Sequence, residues 1–404
     1  MNKILVFCSN PVNGGTAEVF SEMCKEIQKR NLIDIEIIPC VNLGNDVKIY
    51  NTLKNLVKLD IKSEEQLLGG LKNNRSFLER ILERINRNYK YYPQKKRNIN
   101  LMKKYLADND ITSVFIHNGG YVGDDLCNQI LQAAFEVGVK NRIMIFHSDF
   151  HKSFLHKLLC MRYDKKINKQ TTEVITVSKF TRNRILSNSY LNMNIKVIYN
   201  GITFNNTLSE EKKMKDLNYI NADIHIGMVG NFLENKGQMK FLEALFIVLR
   251  NTNKKIQVFM IGNVYDKEYF QQCENFIQTH KMRENVFICQ NIYRAKEYMN
   301  LFDFSVIPSI YDESFGLIGV ESMRSGTPVV AFGCGGIPEV VQHGVDGYIV
   351  EVGNITGMAN AILSMIDEPE KRKKMGIKAK RNYEEKFSRK VMGDKYLNLI
   401  RGEK

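Results

Sequence analysis

The sequence predicts an α/β fold of two domains, each a parallel β-sheet wound by helices. Three observations carry that prediction. Short apolar runs rich in Val, Ile and Phe alternate with longer amphipathic stretches, the mark of βαβ units. The alternation breaks off near residue 200 and begins again after it. The chain has 404 residues, enough for two or three domains at roughly 150 each, and its 44% hydrophobic and 25% charged residues suit a globular protein.

The first apolar run, Lys3–Ser9, reads as a strand, followed by the turn Asn10–Gly15 and a helix over Ala17–Lys29. Ile33–Pro39 alternates as a second strand. Asn45–Asp108 departs from the pattern. It is long, basic and rich in helix formers, and predicts a helical elaboration of the first domain over about 45–108. Ile111–His117 and Arg142–His147 read as buried strands, each ending in histidine. Glu173–Val177 is another, with Ser178 placed to cap the next helix. Val197–Asn200 ends the first series. After the polar stretch Asn205–Asp223, Ile224–Val229 opens a second sheet. It continues through Gln257–Ile261, Val286–Ile288, Phe304–Ile307, Val329–Phe332 and Tyr348–Val350. Glu370–Lys404 reads as C-terminal helices, with Phe387 and Tyr396 available to pack back. The domains are therefore expected at 1–200 and 201–385, with a helix over 386–404 returning to the first.

Several classes fall away. No apolar run reaches the ~18 residues that span a bilayer. The opening Met-Asn-Lys-Ile-Leu-Val-Phe-Cys enters a strand without the apolar core and small-residue cleavage site of a leader, so a cytoplasmic chain is expected. Eight scattered cysteines without a C-x-x-C pair predict reduced, buried thiols, not a disulfide framework or zinc site. Charge is lopsided: residues 1–200 hold 31 basic and 19 acidic side chains, a net +12. Residues 201–404 hold 27 and 25, a net +2. The excess gathers around 71–104 and 152–184. Such a field draws nucleic acid, anionic lipid or phosphorylated ligands. Without a zinc knuckle, an RNP-like strand or a helix-turn-helix, nucleic acid is not expected as a partner. A solvated lysine-rich surface is the plain alternative to a membrane.

The most informative stretch is Pro308–Val350. Glu313 and Glu321 stand with seven residues between them within Y-D-E-S-F-G-L-I-G-V-E-S-M-R-S-G-T-P-V-V. A helix beginning near Phe315 puts Glu313 in the loop ahead of it and Glu321 about two turns inside. The amides of Ser314, Phe315, Gly316 and Leu317 then sit at its N-terminus, where an anion or a polarised hydroxyl is favoured. In isolation such a pair is ordinary capping plus a surface ion pair. Here it follows an apolar strand and precedes Gly326-Thr327-Pro328, Gly335-Gly336 and Glu339. In that setting the segment resembles the donor-binding core of the retaining glycosyltransferases of family 4, of the bacterial surface-polysaccharide type. The likeness is most specific over residues 226–352.

The resemblance implies the GT-B fold, two Rossmann-like domains facing across a cleft. It implies that Glu313 positions the sugar hydroxyls of a nucleotide diphosphate sugar and that Glu321 holds its ribose. Gly230-Asn231-x₄-Lys236-Gly237 matches the family's phosphate-binding G-R-x₄-K-G, with Lys236 as the cation. Asn231 departs from the pattern, lacking the charge and fork of the usual Arg. That departure leads us to expect Asn231→Arg to be neutral or activating. Gly14-Gly15 matches the loop under the donor phosphate. His147 matches a histidine that contacts the donor sugar, often its 6-hydroxyl. Gln290 and Ile292, in the segment after Cys289, face the base. His117 and Asn118 are candidates for the acceptor side.

The activity implied is transfer of a hexosyl-type unit, from a UDP- ahead of a GDP-sugar, to an acceptor hydroxyl with retention. Neither a metal nor another cofactor is expected. The acceptor is expected to be a saccharide or lipid-linked saccharide in capsule, exopolysaccharide or lipopolysaccharide synthesis. The run Tyr89–Arg97 interleaves aromatics with charge, as a peripheral contact with an anionic membrane face requires. A nucleotide-sugar epimerase of the same fold and a non-catalytic nucleotide-sugar-binding protein are the alternatives.

Overall fold

The computed structural model describes residues 2–9, 15–42, 52–68, 77–121, 124–148, 154–203, 207–292 and 294–402. Its contacts divide the chain into two compact units. One is Met1–Ile198 with Gly393–Lys404, and the other is Tyr199–Met392.

The first unit holds seven strands in the order β3-β2-β1-β4-β5-β6-β7, all pairs parallel. They are β1 (Asn2–Cys8), β2 (Ile35–Asn42), β3 (Val57–Leu59), β4 (Ser113–Asn118), β5 (Asn141–Phe146), β6 (Glu173–Thr176) and β7 (Ile195–Val197). The helices are α1 (Gly15–Lys29), α2 (Glu64–Leu68), α3 (Phe77–Asp108), α4 (Asp125–Glu136), α5 (Phe154–Gln170) and α6 (Lys179–Asn188). Ser178 caps α6 by accepting the Thr181 amide. Buried Leu5, Phe7, Val114, Ile116, Met144 and Phe146 form the core with Leu126, Ile130 and Leu131 of α4. Tyr396 of α14 (Arg389–Arg401) packs its ring edge-on against Phe115.

Two departures from the sequence reading have physical causes. β2 runs through Pro39 to Asn42, where the sequence suggested an end at the proline. Pairing with β3 begins only at Cys40, so at Pro39 one side of β2 faces no strand and the missing N–H costs no ladder bond. β3 is three residues long inside a region read as wholly helical. A run that short has no period to detect.

The second unit holds six parallel strands in the order β10-β9-β8-β11-β12-β13. They are β8 (Ile224–Val229), β9 (Ile256–Ile261), β10 (Val286–Cys289), β11 (Phe304–Ile307), β12 (Val329–Phe332) and β13 (Gly347–Val350). Around them stand α7 (Glu210–Asp216), α8 (Gln238–Arg250), α9 (Lys267–Thr279), α10 (Leu317–Arg324), α11 (Ile337–Val340), α12 (Ile355–Asp367) and α13 (Pro369–Asn382). α7 lies within the polar stretch Asn205–Asp223, capped by Ser209. In an open parallel sheet, ligands collect where strand order reverses, outside the carboxyl ends. Those points are β1/β4 in the first unit and β8/β11 in the second. Among the described residues, every candidate from the sequence lies in a segment leaving the carboxyl end of a strand in one of the two sheets, or at the end of one, except Gly15, Leu317 and Glu321; Leu317 is the first residue of α10. Gly15 is the first residue of α1, and Glu321 lies within α10. All eight cysteines are buried, and none forms a disulfide. Among the described residues no helix is long and apolar enough to cross a membrane.

Candidate functional site

At the second switch point the loops leaving β8 and β11 are docked on each other by glycine. Gly237 has φ +71°, and a Cβ there would stand 1.9 Å from the Pro308 carbonyl oxygen. No other residue permits that approach. Ile310 N–H donates to the Asn235 carbonyl at 3.1 Å. The result is that Lys236, closing the short turn Glu234–Lys236, meets the loop carrying Glu313. Lys236 Nζ contacts Glu313 Oε1 directly, and Ser309 Oγ donates to the same carboxylate at 3.1 Å. Both partners are partly open, with side chains 32% and 26% exposed. A later loop braces the backbone of Glu313. Gly336 N–H donates to the Glu313 carbonyl at 2.7 Å, and a Cβ on Gly335 (φ +59°) would stand 2.2 Å from that oxygen.

The helix that follows begins at Leu317, two residues later than expected. Gly316 adopts φ +91°, which stops helical backbone from reaching Phe315. Glu321 is therefore one turn inside α10, not two, and it is buried. The Phe315 side chain is buried too, stacked on Tyr199 and edge-on to Phe387, each at 5.8 Å. It serves the core, and only backbone remains to border the loop. Ser314, Gly316 and Leu317 are half-buried at the helix entrance.

Beside this pair runs a ladder the sequence reading missed. Asn231, Asn263 and Asn291 occupy matching places after β8, β9 and β10. Asn231 Oδ1 accepts the Asn263 amide at 3.1 Å, and Asn263 Oδ1 accepts the Asn291 amide at 2.9 Å. Buried Gln238 holds the first rung from below, its Nε2 donating to the carbonyls of Asn231 (2.9 Å) and Gly230 (3.3 Å). Gly262 must be glycine here, because a Cβ would stand 2.1 Å from the Gly230 carbonyl. Exposed Gln290 and half-buried Ile292 flank the last rung. The recurrence of Gly-Asn after successive strands was the available signal.

In the first unit, Gly15 is exposed at the start of α1, and Gly14 lies outside the described residues. His117 and Asn118 end β4, and His147 follows β5. The register seats His117 between Cys8 and Ile145. Both histidines are buried, and their rings meet: His117 Nδ1 lies 2.9 Å from His147 Nε2. Burial drives both pKa values down, His117 well below its ordinary value and His147 to about 3. Asn118 is fully buried, its Oδ1 accepting from the amides of Gly120 and Asp124. Its side chain is spent on the turn into α4. The structure thus gathers Lys236, Glu313, Ser314 and Glu321 in one unit and the two histidines in the other.

Known proteins resemble the chain in sequence and in fold. Residues 209–382 fit the model of the family described as glycosyl transferases group 1. The N-acetyl-alpha-D-glucosaminyl L-malate synthase of Bacillus anthracis is 26% identical over 221 residues, 53% of this chain and 56% of that one. The capsular polysaccharide biosynthesis glycosyltransferase CapM of Staphylococcus aureus is 22% identical over 229 residues, 55% and 59% of the two chains. The matches thus span little more than half the length of these relatives. The crystal structure of HepE from Anabaena, in complex with UDP, superposes with a TM-score of 0.75 at 17% identity, covering 100% of both chains. With two parallel sheets built as in that structure, the chain has the GT-B fold, and its residues 209–382 match the model of the group 1 glycosyl transferases.

Proposed function

We propose that the chain transfers a hexosyl-type sugar from a nucleotide diphosphate sugar, UDP ahead of GDP, to an acceptor hydroxyl, with retention and without a metal ion. The observation that carries the proposal is the contact of Lys236 with Glu313 at the switch point. In the reaction the bond from the anomeric carbon to the diphosphate oxygen breaks. Positive charge grows on the sugar ring and negative charge on the leaving group. A preorganised cation is worth most where charge develops, and Lys236 supplies it. Glu313 accepts from sugar hydroxyls, Glu321 accepts from the ribose diol, and the α10 entrance faces the phosphates with its positive end. His147 contacts a sugar hydroxyl. UDP in the HepE structure supports the choice of nucleotide. The name of CapM supports an acceptor in surface-polysaccharide synthesis.

A thermal-shift screen over UDP-, GDP-, ADP- and CMP-sugars tests the donor, since a ligand that binds only the folded chain raises its melting temperature. UDP-sugars should give the largest shift. Release of UDP that needs no added acceptor would favour the epimerase instead. Transfer should survive EDTA, and loss restored by Mg²⁺ would overturn the metal-free scheme.

The chain also binds, in this reading, at an anionic membrane face through its first unit. The +12 of residues 1–200 supports it, as do Tyr89 and Tyr92 of α3, 82% and 65% exposed. Tyr91 takes no part, because it is buried and its hydroxyl donates to the Lys62 carbonyl. Flotation with vesicles of rising anionic lipid content should carry the protein upward at low salt. Equal, negligible binding to neutral and anionic vesicles would refute it.

A further inference from the structure

The two buried histidines of the first unit present a line of four ring nitrogens. At one end, His117 Nε2 is buried without a hydrogen-bond partner among the described residues. In the middle, His117 Nδ1 and His147 Nε2 are 2.9 Å apart, with the rings 23° from parallel. At the other end is His147 Nδ1; the residue is 8% exposed against 1% for His117. Phe20 packs edge-to-face on His117 with centroids 5.5 Å apart.

A contact between two neutral rings holds one proton, and its owner decides the state of both ends. Were His147 Nε2 the donor, His117 would carry its own proton on Nε2, an N–H buried with nothing to accept it. Were His117 Nδ1 the donor, His117 Nε2 would be a bare lone pair. Buried orphan donors are rarer in folded proteins than under-satisfied acceptors. The second arrangement leaves His147 with its proton on Nδ1.

We infer that His117 is a positioning residue that donates its Nδ1–H to His147 Nε2 and so fixes His147 in the Nδ1–H form, with that N–H offered to a donor-substrate oxygen. The inference rests on the reading that puts His147 against the sugar. It has a chemical consequence for that reading. Both nitrogens of His147 are committed, one as acceptor within the pair and one as N–H, so His147 cannot take the acceptor's proton. It stabilises an oxygen, and the base lies elsewhere. His117, named from sequence as a residue of the acceptor side, acts from behind.

The test is a long-range ¹H–¹⁵N spectrum of the ¹⁵N-histidine-labelled full chain without ligand, with the His147 signals assigned by their loss in His147→Gln. The expected result is a protonated Nδ1 and a bare Nε2 on both rings. In His117→Leu, His147 should shift towards the Nε2–H form and kcat/KM should fall by about tenfold or more, the scale on which losing a tautomer-fixing partner is felt. His117→Asn, whose amide can donate from the place of Nδ1, should restore most of both. A wild-type His147 protonated at Nε2 overturns the inference without any variant having to fold. Unchanged His147 signals in His117→Leu overturn it as well. A lost tautomer with undiminished transfer would instead overturn the placing of His147 at the sugar.

Discussion

Replacing Lys236 with Ala removes the cation while leaving Glu313 in place, and the structure sets the size of the effect. In the ligand-free chain the pair is about a third to a quarter exposed, so it contributes only about 0–1 kcal/mol to folding. The melting temperature should barely move. In the donor complex the loss is larger. A unit charge about 4 Å from a phosphate oxygen is worth about 4 kcal/mol at an effective dielectric constant near 20. Solvent entering the vacated space offsets part of this. Glu313, left with only the Ser309 hydroxyl of its two partners, then repels the arriving diphosphate. A net loss of about 3 kcal/mol corresponds to roughly 10²-fold in kcat/KM. Single-turnover transfer measures it, with a thermal melt as the control. Glu313→Gln supplies the second arm: with the competing carboxylate gone, UDP should bind at least as tightly while transfer falls. A wild-type rate in Lys236→Ala would show that the diphosphate is held by other groups and that the Lys236–Glu313 contact is only structural.

Three further outcomes are expected. Glu321→Ala should weaken nucleotide binding by about 1–3 kcal/mol, because the ribose diol loses its acceptor in a buried place; unchanged calorimetric affinity would remove the assignment. Asn231→Arg should lower stability and activity, contrary to what the motif alone suggests. Arg has no acceptor for the Asn263 amide, a hydrogen bond worth about 1 kcal/mol, and a variant faster than wild type would show the ladder to be dispensable. Stability should fall as pH drops from about 6.5 towards 3. His147 has its pKa lowered to about 3 in the folded chain, so the unfolded chain binds more protons across that window. Urea midpoints against pH should show this slope, and it should flatten in His147→Gln; a slope unchanged in that variant would assign it to other groups.

Strand placement was readable because a buried parallel strand is a nearly continuous apolar run. Phe304–Ile307 and Val329–Phe332 occur in the structure with the bounds read from sequence. Ends set by backbone conformation were not. The start of α10 depends on Gly316 at positive φ, and a glycine in sequence does not announce its φ. Among candidate site residues, Lys236 and Glu313 were legible through the resemblance, from the Gly230-Asn231-x₄-Lys236-Gly237 spacing and the setting of Glu313 in Pro308–Val350. That they touch was not legible, because it depends on Gly237 and Gly335 approaching backbone far away in sequence. Asn118 and Phe315 show what residue type does not reveal. Burial commits both side chains to the fold, while the expectation for Phe315 concerned its backbone amide.

The asparagine ladder bears on how such a site can change through descent. Three loops that leave neighbouring strands would ordinarily drift independently, each exploring new side chains at small cost. Here Asn231, Asn263 and Asn291 share two hydrogen bonds through side-chain oxygens, and Gln238 ties the first to the helix beneath. An Asp could substitute at the first or second place and keep the acceptor, whereas most other replacements would strand an amide in the neighbouring loop. Variation is thus steered towards exposed Gln290, next to the last rung but outside it. A lineage adopting a new ligand there could alter its contacts at that position while the loop bearing Lys236 kept its shape.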